Sequence, residues 1–264
     1  MTNAVNAKVT RGSSQTNSSP ALIIRGLEKK FGSGNRSTVA LQSFDLTVQQ
    51  GEFITIVGAS GCGKSTLLSL VAGLEKPTAG SLEVNGQVAF MFQDATLLPW
   101  LTAKQNIELS LRLRGVAKSE RSGKALELLT RVRLEHAANR RPHELSGGMR
   151  QRVALARCLA QEARIVLMDE PLGALDAMTR DLLHDEIERV AKEAELTVLF
   201  VTHNMREAIR LGDRVILMGN DPGRIVHEQN ISLARPRQID SADVATRAAD
   251  LTKQLREVST HDNL

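Results

Sequence analysis

The stretch from Phe53 to Ala72, FITIVGASGCGKSTLLSLVA, restricts the fold more than any other part of this chain. Phe53 to Val57 is an unbroken apolar run, the pattern of a strand buried on both faces, and it stops at Gly58, where the chain has to turn. A helix is predicted to open near Lys64, with Leu67, Leu68, Leu70 and Val71 on its apolar side. Between strand and helix, Gly58 to Ser65 fit the spacing G-x-x-x-x-G-K-[ST]. Its chemistry is a cradle in which backbone N–H groups and a helix N-terminus all face one anion. The anion this predicts is the phosphate tail of a nucleotide. Gly58, Gly61 and Gly63 let the main chain curl where side chains would block phosphate, and Ala59, Ser60, Cys62 and Thr66 complete the loop. Lys64 brings a point charge to the β- and γ-phosphates, and Ser65 offers a hydroxyl to Mg²⁺.

A second apolar strand, IVLM from Ile165, ends in Asp169-Glu170. Adjacent carboxylates at the end of a buried strand are costly unless a cation or a proton-transfer task holds them. Asp169 is therefore expected to orient Mg²⁺ and its waters, and Glu170 to polarise an attacking water. Residues 145 to 151, LSGGMRQ, put Ser146, Gly147 and Gly148 just ahead of another helix, a second anion-binding terminus. One chain seldom needs two for a single phosphate tail. The strand Thr197 to Val201 ends at Thr202-His203, which puts His203 at the carboxyl edge of the sheet, where α/β ligand sites form.

Composition excludes several classes. No apolar run has the length of a membrane span, and residues 1 to 20 have no apolar block typical of a secretion signal, so a soluble, cytoplasmic chain is expected. The two cysteines, Cys62 and Cys158, lack metal-site spacing and are too few for a disulfide framework. Cys62 reads either as a small filler or as a thiol whose pKa is lowered by Lys64 and the helix N-terminus. A formal charge of +4 raises the question of nucleic acid, but aromatic content is 3% with no tyrosine, so stacking platforms for single strands are largely missing and no nucleic-acid partner is expected. The excess is local: Arg112 to Arg152 hold eleven Lys/Arg against four Asp/Glu. That patch reads as solvated helix faces, or as a surface toward anionic lipid or a partner.

In chain order, residues 1–20 are polar and unpatterned and are expected to be a disordered tail. Ala21 to Gly26 reads as an edge strand, and Phe44, Leu46 and Val48 alternate as a half-buried strand does. Phe31, ahead of a Gly/Ser loop, is either a platform for an adenine ring or an ordinary loop aromatic. Ser81 to Val84 and Val88 to Phe92 flank Asn85-Gly86, a hairpin signal. From about 94 to 154 the pattern turns helical and charged, which predicts a helical subdomain inserted into the nucleotide-binding core. A last helix, Ser241 to Val258, carries Val244, Leu251, Leu255 and Val258 and should pack on the body of its own chain.

GASGCGKST, Gln93, LSGGMRQ, IVLMDEP, GALD at 173 to 176 and His203, in this order, resemble the nucleotide-binding subunit of an ABC transporter over about Ala21 to Arg237. The resemblance implies an α/β fold of the P-loop NTPase type: a RecA-like parallel sheet core with an antiparallel β subdomain and a helical subdomain. The domain plan is then a tail (1–20), an ATP-binding domain (21–238) and a C-terminal helical extension (239–264). The implied ligands are ATP and Mg²⁺. The implied partner is a second copy placed head to tail, so that Ser146, Gly147 and Gly148 of one chain close on the γ-phosphate held by Lys64 of the other. In the family pattern Gln93 contacts Mg²⁺ and water, Glu170 is the general base, His203 holds the γ-phosphate, and Asp176 links the two sites. Phe31 stands where the family usually stacks a tyrosine, Met149 where glutamine is commoner, and Asn204 where aspartate is frequent.

MFQDATLLPWLTAKQNI, LGALDAMTR, PGRI and ARPR further resemble the nitrate/sulfonate/taurine class of importers, most closely the aliphatic sulfonate subunits. This implies a peripheral ATPase on the cytoplasmic face of the membrane, working with integral permease subunits and indirectly with a substrate-binding protein. Taurine, nitrate or a thiamine precursor are alternative cargoes, and a non-transport ABC ATPase is the rival class. Such rivals normally carry two cassettes or a long coiled-coil insertion, and a P-loop kinase or GTPase has no need of LSGGMRQ. Trp100, in Leu97 to Leu101, reads either as a core residue or as part of the groove that receives a coupling helix from the membrane subunit.

Overall fold

The computed structural model describes residues 19–32, 37–220 and 222–261, without the side chains of 258–261. The tail expected at residues 1–20 thus lies, but for its last two residues, outside the described residues. β1 (Leu22–Phe31) and β2 (Thr38–Val48) lead into β3 (Phe53–Gly58), the phosphate loop and α1 (Lys64–Val71). β4 (Ala79–Val84) and β5 (Val88–Met91) follow, then α2 (Ala103–Leu113), α3 (Lys118–Arg131) and α4 (Gly147–Leu159). Next come β6 (Ile165–Asp169), α5 (Ala177–Glu193), β7 (Thr197–Thr202), α6 (Met205–Leu211), β8 (Arg214–Gly219), β9 (Arg224–Asn230) and α7 (Ala242–His261).

The main sheet has the order β5-β6-β7-β3-β8-β9. All its neighbours are parallel except β8 and β9, which a short connection joins as an antiparallel pair. Every residue of β3 is buried, as a strand covered on both faces must be. The register decides what the sheet delivers. Val57 lies beside Thr202, Gly58 beside Met218, and Asp169 beside Val201. Parallel strands that end level bring Gly58, Asp169-Glu170 and Thr202-His203 to one carboxyl edge, where such sheets hold ligands.

One apolar layer joins the outer helices α2 to α5 to one face of this sheet, with Ile107, Leu129, Val153 and Ile187 packed toward Phe53, Met168 and Phe200. On the other face, α1 and the small sheet bury Leu67, Leu68, Ile24 and Phe44 against Ile54, Ile56 and Leu199. At the β8–β9 end, α7 lays Val244, Ala248 and Leu251 on Ile209, Val215 and Leu217, as its apolar spacing predicts. Leu255 packs against the same cluster, whereas the Val258 side chain lies outside the described residues.

Two strand readings need correction. Ala21 to Gly26 is not an edge: β1 runs on to Phe31 and is the middle strand of the small sheet β2-β1-β4. Leu22 pairs with both Val48 and Val84, so each side of the strand is occupied by a segment that follows it in sequence. Nor does Asn85-Gly86 close a hairpin, because β4 joins the small sheet and β5 the large one. The Asn85 N–H donates to the Ala21 carbonyl at 2.8 Å and its amide to the Pro20 carbonyl at 2.8 Å, which ties the turn to the start of β1. Val88 then pairs with Ile165 rather than folding back on β4. Phe44, Leu46 and Val48 are buried on β2 while Asp45 and Thr47 are exposed, the alternation expected of them.

Candidate functional site

The phosphate loop owes its shape to what lies behind it. A Cβ on Gly58 would stand 2.7 Å from both Cys62 Sγ and the Met218 carbonyl oxygen. Gly63 has φ +94°, and a Cβ there would lie 2.7 Å from the Ala40 carbonyl oxygen. Lys64 opens α1, is buried, and donates from Nζ to the Gly58 carbonyl at 2.9 Å and the Ala59 carbonyl at 2.8 Å. Cys62 is buried: burial pushes its thiol up, and the neighbouring Lys64 only partly opposes this. That direction favours the filler reading over a thiol activated by the helix N-terminus.

Asp169, at the end of β6, accepts a hydrogen bond from Ser65. Burial raises its pKa and the Glu170 charge adds to this, against the Ser65 bond and the Lys64 charge. Glu170 sits at φ +43°, a left-handed backbone that costs a residue with a Cβ about 1 kcal/mol or more. Its N–H is held by the Val201 carbonyl at 3.0 Å, and the turn brings Oε2 to 3.2 Å from His203 Nδ1. The His203 ring is 67% exposed, open to a ligand on its far side. A Cβ on Gly173 would lie 3.5 Å from Gln93 Nε2 and 3.9 Å from Glu170 Oε2, so the carboxylate and the amide converge on that glycine.

The structure therefore brings Ser65, Glu170 and Lys64 within range of Asp169, His203 to Glu170, and Gln93 and Glu170 to Gly173. The oxygen donors in this group are the carboxylates of Asp169 and Glu170, the Ser65 hydroxyl and the Gln93 amide. That set suits Mg²⁺, which keeps several of its waters and binds through one or two carboxylates plus phosphate. Among the described residues no group of three or more His, Cys, Asp or Glu forms an all-protein metal cage.

The second predicted anion terminus is built differently. Ser146 caps α4 by accepting from the Met149 N–H at 3.3 Å. The glycines after it also pack closely within the chain, since a Cβ on Gly147 would stand a tight 3.0 Å from Leu175 Cδ2 and one on Gly148 would overlap Thr179 Cγ2 at 2.3 Å. Among the described residues no hydrogen bond joins Ser146, Gly147 or Gly148 to the phosphate loop. Asp176 caps α5 by accepting from the Thr179 N–H at 3.0 Å, and this bond holds its carboxyl below the usual range. Phe31 is the last residue of β1 rather than a loop aromatic, and it is 40% exposed. Lys29 Nζ stands 4.7 Å from its ring centroid, anchored by Glu75 Oε2 at 2.7 Å and the Lys76 carbonyl at 2.9 Å.

Several residues that hold the site together were not singled out from sequence. Gln151 donates to the Gln93 carbonyl at 2.6 Å, which ties α4 to the segment after β5. Asn106, 1% exposed, accepts from the Leu98 N–H at 2.8 Å and donates to the carbonyls of Leu98, Leu101 and Thr102. These bonds present Trp100 outward at 67% exposure, which rules out a core role for it. Gln151 lies inside the LSGGMRQ motif, so its place was marked although its partner was not. Asn106 has no comparable signal, because nothing in a helical pattern says which polar residue faces in.

Comparison with known proteins agrees with this fold. The family model described as ABC transporter matches residues 41–173. An aliphatic sulfonates import ATP-binding protein, SsuB of Albidiferax ferrireducens, is 45% identical over 92% of this chain and 88% of its own length. SsuB 1 of Paraburkholderia xenovorans is 45% identical over 91% of this chain and 69% of its own length. The bicarbonate transport ATP-binding protein CmpC of Synechococcus elongatus is 43% identical over 81% of this chain, which spans 34% of that longer protein. Among solved structures, the ATP-binding cassette MJ0796, a dimer in a post-hydrolysis state bound to ADP and Pi, superposes with a TM-score of 0.72. It is 33% identical and is covered over its whole length by 81% of this chain.

Proposed function

Because this chain belongs to the ABC transporter family, we propose that it is the ATP-hydrolysing subunit of an importer, and that its cargo is an aliphatic sulfonate or a related small anion. The observation that carries the ATPase reading is the convergence of Lys64, Asp169, Glu170, Gln93 and His203 at the carboxyl ends of β3, β5, β6 and β7. In this reading the loop from Gly58 to Thr66 wraps the phosphates with backbone N–H groups, and Lys64 neutralises charge on the β- and γ-phosphates. Ser65, Gln93 and Asp169 would hold Mg²⁺, which supplies further neutralisation of the phosphate oxygens. Glu170 accepts the proton of the attacking water, His203 holds the γ-phosphate, and Phe31 offers its exposed face to adenine.

Ser146, Gly147 and Gly148 serve the site of a second copy facing head to tail, with Asp176 between the two sites. That no hydrogen bond joins them to the phosphate loop among the described residues of one chain supports this, as does the dimeric form of the MJ0796 cassette. Phosphoryl transfer depends on positioning and charge, so a site completed only by the second copy ties hydrolysis to closure. Among the described residues no helix is long and apolar enough to cross a membrane. Passage of the cargo is therefore assigned to separate permease subunits that this chain energises from the membrane surface, loaded by a substrate-binding protein. The exposed Trp100, held out by Asn106, supports a contact with those subunits. Sulfonate is favoured over bicarbonate because SsuB relatives match along most of their length, whereas this chain spans only 34% of CmpC.

Glu170→Gln with ATP and Mg²⁺ should elute from a sizing column as a dimer, since the nucleotide is trapped and not cleaved. A monomer under those conditions would sink the sandwich reading. The cargo is tested by adding permease subunits and binding protein loaded with a series of sulfonates, taurine or bicarbonate, and measuring which of them raises ATP turnover.

A further inference from the structure

Behind the Glu170–His203 pair lies a buried polar cluster with no part in the chemistry above. Glu207 on α6 is 4% exposed, and a carboxylate so far removed from water has to be compensated. It accepts a hydrogen bond from Thr202 Oγ1 at 2.6 Å through Oε2. Its other oxygen lies 3.6 Å from Arg180 Nε and 3.5 Å from Nε2 of the fully buried His184. Burial pushes the Glu207 carboxyl up, but His184, Thr202 and the Arg180 charge outweigh it and hold the group below the usual carboxylate range.

The two ends of this cluster reach different turns. Thr202 directly precedes His203, and its Oγ1 also accepts from the Asn204 N–H at 3.0 Å, so the hydroxyl pins the histidine turn from both sides. Arg180 donates from Nη2 to the Leu175 carbonyl at 2.8 Å, and Leu175 directly precedes Asp176. Arg180, Thr202, Glu207 and His203 also line one small cavity together with Glu170 and Gly173. A guanidinium is a rigid planar fork, so a shift of the carbonyl it holds is transmitted to the carboxylate it faces rather than absorbed by a flexible stem.

We propose that Arg180 and Glu207 are positioning residues that couple the Leu175–Asp176 turn to the Thr202–His203 turn. This rests on the reading of Asp176 and His203 given above and adds to it the route between them inside one chain. A contact made by Asp176 with the second copy moves the Leu175 carbonyl, and the Arg180–Glu207–Thr202 relay carries that movement to the histidine and the base beside it. Neither Arg180 nor Glu207 touches nucleotide.

The test uses the full chain with Arg180→Gln, Glu207→Gln and the double variant, read by kcat, KM for ATP and melting temperature. Each single change should lower kcat by about tenfold while KM stays within about twofold, the pattern of lost alignment rather than lost binding. The double variant should fall no further than the singles, because both break the same link. Arg180→Lys, which keeps the charge but not the fork, should lie between Arg180→Gln and the parent. Multiplied losses in the double variant, a raised KM with kcat intact, or losses that track melting temperature would each overturn the coupling. Should Glu207→Gln not fold, Arg180→Gln carries the test, since its side chain is the more exposed of the two. Full turnover in Glu170→Gln would instead overturn the assignment of the base. An inactive Glu170→Gln beside normal Arg180 and Glu207 variants would overturn the coupling alone.

Discussion

At the scale of single residues, the site trades stability for chemistry. The Asp169 pKa is raised in the folded chain, first by burial and then by Glu170. Its contribution is therefore complete below the unfolded carboxylate pKa and is lost as pH rises through the raised folded value. The cost is in place wherever the folded carboxyl is ionised. Asp169→Asn is then expected to melt at a higher temperature than the parent at neutral pH, with the gap closing in acid where both forms are uncharged. ATP turnover should fall by about 100-fold, since a neutral amide neither attracts Mg²⁺ nor balances Lys64. Thermal denaturation at two pH values, with a turnover assay, checks both; an unchanged or lower melting temperature at neutral pH would remove the desolvation argument. Asp169, Glu170 and His203 were each legible from residue type and position at a strand end, and Lys64 from the glycine loop before its helix. Thr202, Arg180 and Glu207 were not, because their partners come from separate elements and no spacing links them.

At the scale of elements, the start of α4 is set by its contact with α5. Gly148 has room for no side chain because Thr179 Cγ2 occupies that space, and Thr179 is fixed in turn by its N–H to Asp176. Gly148→Ala should destabilise the chain by about 1–3 kcal/mol through overpacking. Gly148→Ala with Thr179→Ser, which removes the obstructing methyl and keeps the capping N–H, should recover most of the loss. Denaturant midpoints of the single and double variants measure this, and equal midpoints would mean that the clash is relieved elsewhere. The LSGGMRQ spacing predicts a helix start, and Ser146 caps α4 there. The close approach of its glycines to α5 is a packing fact outside any motif. Asn85-Gly86 shows the same limit from the other side: a strong local turn signal yields when the flanking strands find better partners in different sheets.

At the scale of the whole molecule, α7 closes the β8–β9 end of the main sheet. Leu251 is fully buried there among Ile209, Val215 and Leu217, and Arg237 clasps the preceding segment by donating to the carbonyls of Ile209 at 2.7 Å and Gly212 at 2.6 Å. Leu251→Ala should cost about 2–4 kcal/mol in urea unfolding, as a cavity opens under the helix that carries Glu207. A change below about 0.5 kcal/mol, the range of surface substitutions, would mean that α7 is not part of the cooperative unit.

The sequence by itself determined the parts whose physics is local: a strand buried on both faces, the glycine loop, the helix behind it, and the acidic and histidine residues at strand ends. Each follows from periodicity or from the demands of one anion, and the ordered set of motifs identified the family. Only the tertiary structure decided which strands share a sheet, that β1 is central and β4 and β5 part company, and that Trp100 faces outward. It alone also revealed the link from Leu175 through Arg180 and Glu207 to His203. These depend on which distant surfaces meet, and pairing energies between remote segments leave no trace in the spacing of residues along the chain.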